Sequence, residues 1–491
     1  MIRFFATVTC AVALAAASPS LAASSAHPTP TPTPTPTPAP AMAATPVPLG
    51  IPANLETYPP DTSGKYGIPN ASSPVPLSLH DAKMIAVKQS PQLALARATA
   101  DLAGAQLETA NSAAFPNLSA DANFGRNKGQ LRSGTTVGGV IPSIFTSNNA
   151  AITIKQLIFD GGATYARISQ AKFSRDAAQL SELRQVDTVL FNVASFYYAA
   201  LQARYTYQVA VANTKLAQVQ EQLVEAQFRA GVASRADVLT AQLPVAQAEL
   251  AEAQAANGEQ SQIASLLNAM GLSSDTPVTL SESFEQTAPL LPAYATVEAT
   301  ALARRTDLQS ANAALTAAER GVRAARAGRY PIITANGSVG SATSGIDSAG
   351  NLVTNGGSWT SSYSFGLSAT MPLYDSGLTN GQIAAAEANS ETAQADLLST
   401  QLAVSLTVRQ AYLSAQTALA GVTSAQVELS QAQTVLDVTN AQYKAGVTTL
   451  PLLLNAETGL TKARGDYVNA LFALYTAQQN LYFAEGIIAN R

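Results

Sequence analysis

Cysteine is almost absent. The one cysteine in 491 residues, Cys10, lies in an apolar N-terminal stretch. Arg3 precedes the apolar run from Phe4 to Ala16, and Ser20-Leu21-Ala22 supplies small residues for cleavage, the pattern of a secretory leader over residues 1–22. Without that leader the chain has no disulfide, no thiol nucleophile and no cysteine metal ligand. Charge is scarce, at 12 % of residues, and a net charge of −4 offers no broad basic surface for nucleic acid. The two histidines, His27 and His80, stand in no metal-binding spacing. There is no Gly-x-Ser-x-Gly elbow and no Gly-Lys-Ser/Thr phosphate loop. No enzyme activity, cofactor or metal is therefore expected. Long apolar runs are also missing: nothing after the leader reaches about 18 strongly apolar residues, which excludes α-helical spans. Membrane β-strands remain open, because about 9–11 alternating residues suffice for each.

What the chain has is a duplication. Phe159-Asp160 and Gly162 recur as Tyr374-Asp375 and Gly377, 215 positions later. At the same spacing Phe115-Pro116 recurs as Tyr330-Pro331, Tyr197 as Tyr412, and Ala230-Gly231-Val232 as Ala445-Gly446-Val447. A constant offset over more than a hundred residues marks two copies of one unit. The chain divides into the leader, a Pro/Thr-rich tether and extended arm over 23–76, a first repeat over 77–291 and a second over 292–491. The Pro-Thr run from His27 to Pro40 reads as an extended spacer.

Each repeat reads as strand, loop, strand, very long helix, turn and returning helix. A first helix is expected from Ser78 to Ala114, with Pro91 either kinking or dividing it. Leu118, Ala120, Ala122 and Phe124 alternate with polar residues, as strand side chains on opposite faces do. Residues 126–149 read as a loop, and Ile152 and Ile154 mark the returning strand. In the second repeat Ile333 to Val339 alternate likewise. Beyond a loop at 341–358, Trp359, Tyr363, Phe365 and Leu367 oppose Thr360, Ser362, Ser364 and Ser368. Ala163 to Ala230 contains no proline or glycine, and as one helix its 68 residues would reach about 100 Å. Gly231 and Gly446 are expected to stop the long helices, and Ser234 and Thr449 to cap the returning ones. Residues 271–292 read as a linker.

Four strands are too few to close a barrel, and an open sheet has two unpaired edges. Two resolutions stand: a soluble sandwich, or closure with other copies so that one face meets lipid and the other water. Three chains would supply twelve strands. The expected fold class is therefore a membrane β-barrel joined to a long α-helical coiled-coil barrel, trimeric, with four strands and two helical hairpins per chain. Phe124, Ile152, Ile154, Val339, Trp359, Tyr363, Phe365 and Leu367 are the expected membrane-facing positions.

At this point the chain resembles the TolC-type outer membrane factors. The resemblance is carried by the duplication, Leu77-Ser78-Leu79, Arg304-Arg305-Thr306-Asp307-Leu308, Tyr374-Asp375-Ser376-Gly377 and the two Ala-Gly-Val turns, over about residues 77–487. It implies a homotrimeric exit duct in the cell outer membrane with a long periplasmic extension. Its implied partners are a periplasmic adaptor protein, an inner-membrane pump of the RND, ABC or MFS type, and outer membrane lipid. It implies adaptor contact at Arg229, Ala230, Gly231, Val232 and Ser234, and at Lys444, Ala445, Gly446 and Val447. The implied periplasmic gate is Asp237, Tyr443, Thr448, Leu452 and Asn455, with Asp237 either capping its own helix or bonding Tyr443. Thr448 stands where the family pattern has arginine, and Leu452 and Asn455 where it has aspartates. An apolar constriction is expected here in place of acidic pairs. Two other classes remain: a pore-less trimeric stalk or adhesin, and a periplasmic adaptor.

Overall fold

The computed structural model describes residues 75–132, 140–281, 291–343 and 359–488. The leader and nearly all of the tether lie outside the described residues. After β1 (Val75–Leu77), at the end of the arm, the first repeat contains α1 (Leu79–Gln89), α2 (Pro91–Ser112), β2 (Asn117–Arg132), β3 (Val140–Phe159), α3 (Ala163–Arg229), α4 (Arg235–Ala269) and β4 (Val278–Leu280). The second contains α5 (Tyr294–Arg304), α6 (Thr306–Arg326), β5 (Ile332–Thr343), β6 (Thr360–Thr370), α7 (Leu378–Lys444) and α8 (Leu450–Glu485). The 215-residue offset extends beyond the sequence matches: α5 begins and ends 215 residues after α1, and α7 after α3.

No proline or glycine lies inside α3, and α7 runs on through Gly381 and Gly421. Both α3 and α7 have 67 residues, about 100 Å of helix. Both start from a left-handed glycine, Gly162 or Gly377. Alanine-rich faces bring helices close. The core follows the repeat: Val189, Val193 and Tyr197 anchor one cluster, and Val404, Val408 and Tyr412 the corresponding positions of another.

Two expectations are corrected, and one open choice, at Pro91, is decided. The segment 126–149 is largely strand: β2 pairs with β3 from Asn117↔Lys155 through Arg132↔Val140. Backbone hydrogen bonds extend an antiparallel ladder whatever the side chains are, so polar composition did not end the hairpin. The linker 271–292 contains β4, which pairs in parallel with β1 in the arm and buries Leu77 and Leu280. Three-residue strands are too short to show an alternating pattern. The helix expected over 78–114 is divided, with Ser90 extended (φ −62°, ψ 121°) and Pro91 in the first turn of α2.

The second repeat breaks in the same way at Arg305 (φ −62°, ψ 123°), although the next residue is Thr306 and not proline. Proline therefore does not by itself set this corner. In the second repeat an ion cluster occupies it. Arg305 Nε donates to Asp307 at 3.0 Å. Arg184 on α3 lies 3.7 Å from Asp307 and 3.9 Å from Asp187, with its guanidinium over the Phe483 ring at 3.8 Å. Burial raises Asp187 to about 6, against the pull of Arg184. Burial also acts to raise Asp307, but the hydrogen bond and charge of Arg305, then Arg184, hold it below the usual carboxylate range.

Asp307→Asn should leave two half-to-fully buried guanidiniums short of their counter-charge. It should destabilise the chain by about 3 kcal/mol, read as a lower midpoint in denaturation at pH 8. A midpoint equal to wild type would remove the cluster from the account of the corner.

Candidate functional site at the hairpin tips and the open sheet

The four strands form one antiparallel sheet in the order β2-β3-β5-β6. Ile152 pairs with Val339, Val339 with Tyr363, and Gly337 with Phe365, which puts the apolar positions on one face. All eight expected membrane-facing side chains are exposed; Tyr363 is 89 % and Phe365 81 % accessible. On the other face hydroxyls bond across strands, Ser338 to Ser364 at 2.8 Å and Thr334 to Ser368 at 2.7 Å. Every residue of β6 is exposed, so among the described residues no second layer packs on this strand. A soluble sandwich needs one packed face, and that reading is set aside.

The apolar face has limits that sequence reading missed. Toward the far loops, Ser341 bonds Ser361 at 2.9 Å on the apolar side. From that pair to Ile333↔Ala369 is eight residues, about 27 Å along the strand. At the helical end, Phe115, Tyr330, Phe159 and Tyr374 are exposed, two repeat-related pairs of aromatics at the strand–helix junctions. No alternation marks them, because they lie at element ends.

At the opposite end of the long helices are two turns of the same build. After α3, Val232 N donates to Gln227 O at 2.9 Å and Gly231 N to Phe228 O at 3.0 Å. After α7, Val447 N donates to Gln442 O at 2.9 Å and Gly446 N to Tyr443 O at 3.0 Å. This paired pattern closes a helix through a residue at positive φ, and Gly231 (+77°) and Gly446 (+73°) supply it. The turns project Val232 and Val447, 77 % and 76 % exposed, at corresponding places. Ala230, Ala445 and Lys444 are exposed beside them, and Arg229 is held by Glu225 at 2.9 Å.

The two returning helices start differently. Ser234 accepts from Asp237 N at 3.2 Å, and Asp237 accepts from Ser234 N at 2.9 Å, a reciprocal cap. Thr449 occupies the equivalent position with no side-chain cap bond, and Pro451 lies in the first turn of α8.

Of the two roles open to Asp237, the geometry favours the cap. Tyr443 donates to Gln227 at 2.9 Å, not to Asp237. Burial, then the Asp237 charge, raises the Tyr443 phenol, and the Gln227 bond opposes them. Gln227 carried no sequence signal, since only packing brings α3 and α7 together there. Val224, Ala241 and Leu450 form a buried cluster joining the tips, with Tyr443 packed against it. Leu453 is buried against α7, while Leu452 is 52 % exposed and Asn455 is exposed one turn along the same face. Thr448 is half-buried in the turn. Among the described residues no group of three His, Cys, Asp or Glu could hold a metal, and no helix is long and apolar enough to cross a membrane.

Tyr443→Phe should loosen the tips by about 1 kcal/mol, the usual net worth of one hydrogen bond. Faster amide exchange around residues 225–235 and 440–450, with α5 and α6 unchanged, would express it. Unchanged exchange at the tips would show that the Gln227 bond does not hold them.

The sequence profile described as outer membrane efflux protein matches residues 85–272 and 299–486, one segment in each repeat. Protein CyaE of Bordetella pertussis is 29 % identical over 410 residues, covering 82 % of this chain and 81 % of that protein. Outer membrane protein TolC of Escherichia coli is 24 % identical over 407 residues, covering 81 % and 80 %. The CmeC outer membrane channel of Campylobacter jejuni has a similar fold, with a TM-score of 0.70 at 18 % identity over 83 % of this chain and 85 % of that one. VceC from Vibrio cholerae gives 0.70 at 20 % identity over 83 % and 96 %. With both repeats matched, the chain belongs to the outer membrane efflux protein family.

Proposed function

We propose that three copies of this chain form a gated exit duct in the outer membrane, the final conduit of a tripartite efflux or type I secretion machine. Family membership puts the chain in the outer membrane, its helices reaching into the periplasm. The observation that carries the reading is the sheet: one face apolar, the other lined by hydroxyls, neither covered in β6, and two strand edges unpaired among the described residues. In lipid an unpaired edge is costly, so β2 of one copy meets β6 of the next. Two copies would give eight strands, a barrel whose interior side chains fill. The Ser, Thr and Asn lining favours a wider, water-filled bore, and three copies give twelve strands.

The duplication extends the argument to the helices. Within a chain α3 packs beside α6 and α8. Their repeat counterparts are α7, α2 and α4. In the assembly, α7 of one copy therefore lies against α2 and α4 of the next. The exposed apolar side chains fit this seam: Leu95 and Leu102 on α2, Leu239, Leu243 and Leu250 on α4, and Leu398, Leu402, Leu406 and Val435 on α7. Where α3 carries Asp187 in the ion cluster, α7 carries Leu402. At this position the seam inside a chain uses charge, and the proposed seam between chains uses leucine.

The duct is passive and has no catalytic role; partners supply energy. The paired turns, with Val232, Val447, Arg229 and Lys444 outermost, face a periplasmic adaptor, and an inner-membrane pump of the RND, ABC or MFS type selects cargo. Relatives named for alkaline protease secretion and pyoverdine export indicate that one scaffold serves very different cargo. A pore-less stalk would need neither the returning helices nor the amphipathic sheet.

Two outcomes are expected. Leu398→Asp with Leu402→Asp should prevent assembly, leaving single chains in light scattering of detergent-purified protein; intact trimers would contradict the α7 seam. In planar bilayers Leu452→Ser and Asn455→Ala should raise single-channel conductance. Channels unchanged by both would keep the duct and remove the gate from α8.

A further inference from the structure

The gate end holds one buried carboxylate that the gate residues do not use. The inner seam of α8 runs Leu450, Leu453, Glu457, Leu460, apolar at every other step of the 3-4 spacing. Glu457 is 8 % exposed, buried by its own chain. Leu453 and Leu460 on either side pack on Leu436 of α7, and Leu450 below them packs with Val224 of α3. The Glu457 carboxylate has no hydrogen-bond partner among the described residues; only its backbone carbonyl is engaged, by Thr461 at 3.0 Å. On the facing α3, the buried Gln220 Nε2 is also unpartnered. Burial of an unpaired carboxylate in an apolar seam disfavours its charged form.

The repeat supplies a control within the chain. The residue 215 positions earlier, at the same point of α4, is Gln242, which is exposed on the face that α7 of the next copy covers under the proposed assembly. A neutral amide thus fits the same backbone setting, and only the α8 copy is ionisable.

We propose that Glu457 is a proton-controlled latch at the periplasmic end of the duct: held toward its neutral form while α8 is packed on α3 and α7, and readily ionised and hydrated when those coils part. This rests on the duct reading of the preceding subsection. Burial, the sole cause, raises the carboxyl to about 7. The charged groups on the surrounding elements do not contribute. Lys215 on α3 and Glu249 on α4 are exposed, Glu221 on α3 is half-buried, and Asp437 on α7 accepts from Gln433 at 3.1 Å. Lys462 on α8 is engaged with Asp466 and Glu428. The raised value fixes the sign. Parting the coils returns the group to an ordinary carboxylate, so the closed state is fully favoured below about 4.5 and loses that advantage as pH rises through about 7. Between those values each subunit shifts the open-to-closed ratio by up to about tenfold per pH unit.

The test is open probability of the full-length assembly in planar bilayers from pH 5 to 8.5, for wild type, Glu457→Gln and Glu457→Leu. Wild type should open increasingly as pH rises toward 8, and both variants should lose most of that dependence while still forming channels. Asp187 also titrates near this range, at about 6. A pH dependence that survives in Glu457→Gln therefore assigns the response elsewhere and overturns the latch, as does a flat wild-type profile. Channels in all three proteins keep the duct reading whichever way the latch falls; no channels from folded wild-type trimers overturn both. Thermal unfolding provides a second reading that does not need channels. Wild type should gain stability on going from pH 8 to 5 relative to Glu457→Gln, and an equal pH profile in the two would also overturn the latch.

Discussion

In the proposed duct, a hydrogen-bonded sheet that cannot end inside lipid governs the molecule. Each chain has four strands with one apolar and one hydroxylated face, turned outward and inward in the proposed duct, and neither β2 nor β6 has an outer partner among the described residues. Backbone donors and acceptors left open in hydrocarbon cost several kcal/mol each. In the proposed duct the sheet therefore closes with other copies, and the helices that hang from it follow the same symmetry. Length follows too: helices of about 100 Å have no stable existence singly, and only lateral packing of their alanine faces holds them.

Duplication lets one chain build both kinds of seam. The backbone is repeated closely enough that the corner at Ser90 and Pro91 returns at Arg305 and Thr306 with the same dihedral angles. The side chains have diverged where the environments differ. Arg184, Asp187, Arg305 and Asp307 occupy a corner enclosed by one chain, where charges can be paired once and permanently. The counterpart of Asp187 on α7 is Leu402, suited in the proposed assembly to a surface that finds its partner after synthesis. The same divergence separates Glu457 from Gln242. A symmetrical scaffold thus carries unsymmetrical chemistry at the tips, with a reciprocal Ser234–Asp237 cap on one hairpin and only proline at the start of the other.

Much of this was legible in the sequence because it rests on periodicity and punctuation. The absence of proline and glycine from Ala163 to Ala230 gave the long helix, and Gly231 and Gly446 its end. Alternation from Trp359 to Leu367 gave the last strand and its faces. Features that depend on contacts between distant segments were not legible. The β1–β4 pair joins residues about two hundred apart through strands of three residues, and the Tyr443–Gln227 bond depends on the relative rotation of α3 and α7. The ladder through 126–149 was hidden because glycine, serine and asparagine name a loop by composition while the backbone is free to pair. Residues such as Leu452, Asn455 and Lys444 are placed by the structure on exposed helix faces and turns, and their roles follow from the proposed assembly.

The most direct measurement is a high-resolution electron cryomicroscopy reconstruction of the full-length protein in lipid nanodiscs. The account predicts three chains around one axis, twelve strands closed by β2 of one copy against β6 of the next, and α7 leucines covered by a neighbour's α2 and α4. A barrel closed by any other number of chains, or α7 leucines left facing water, would contradict it.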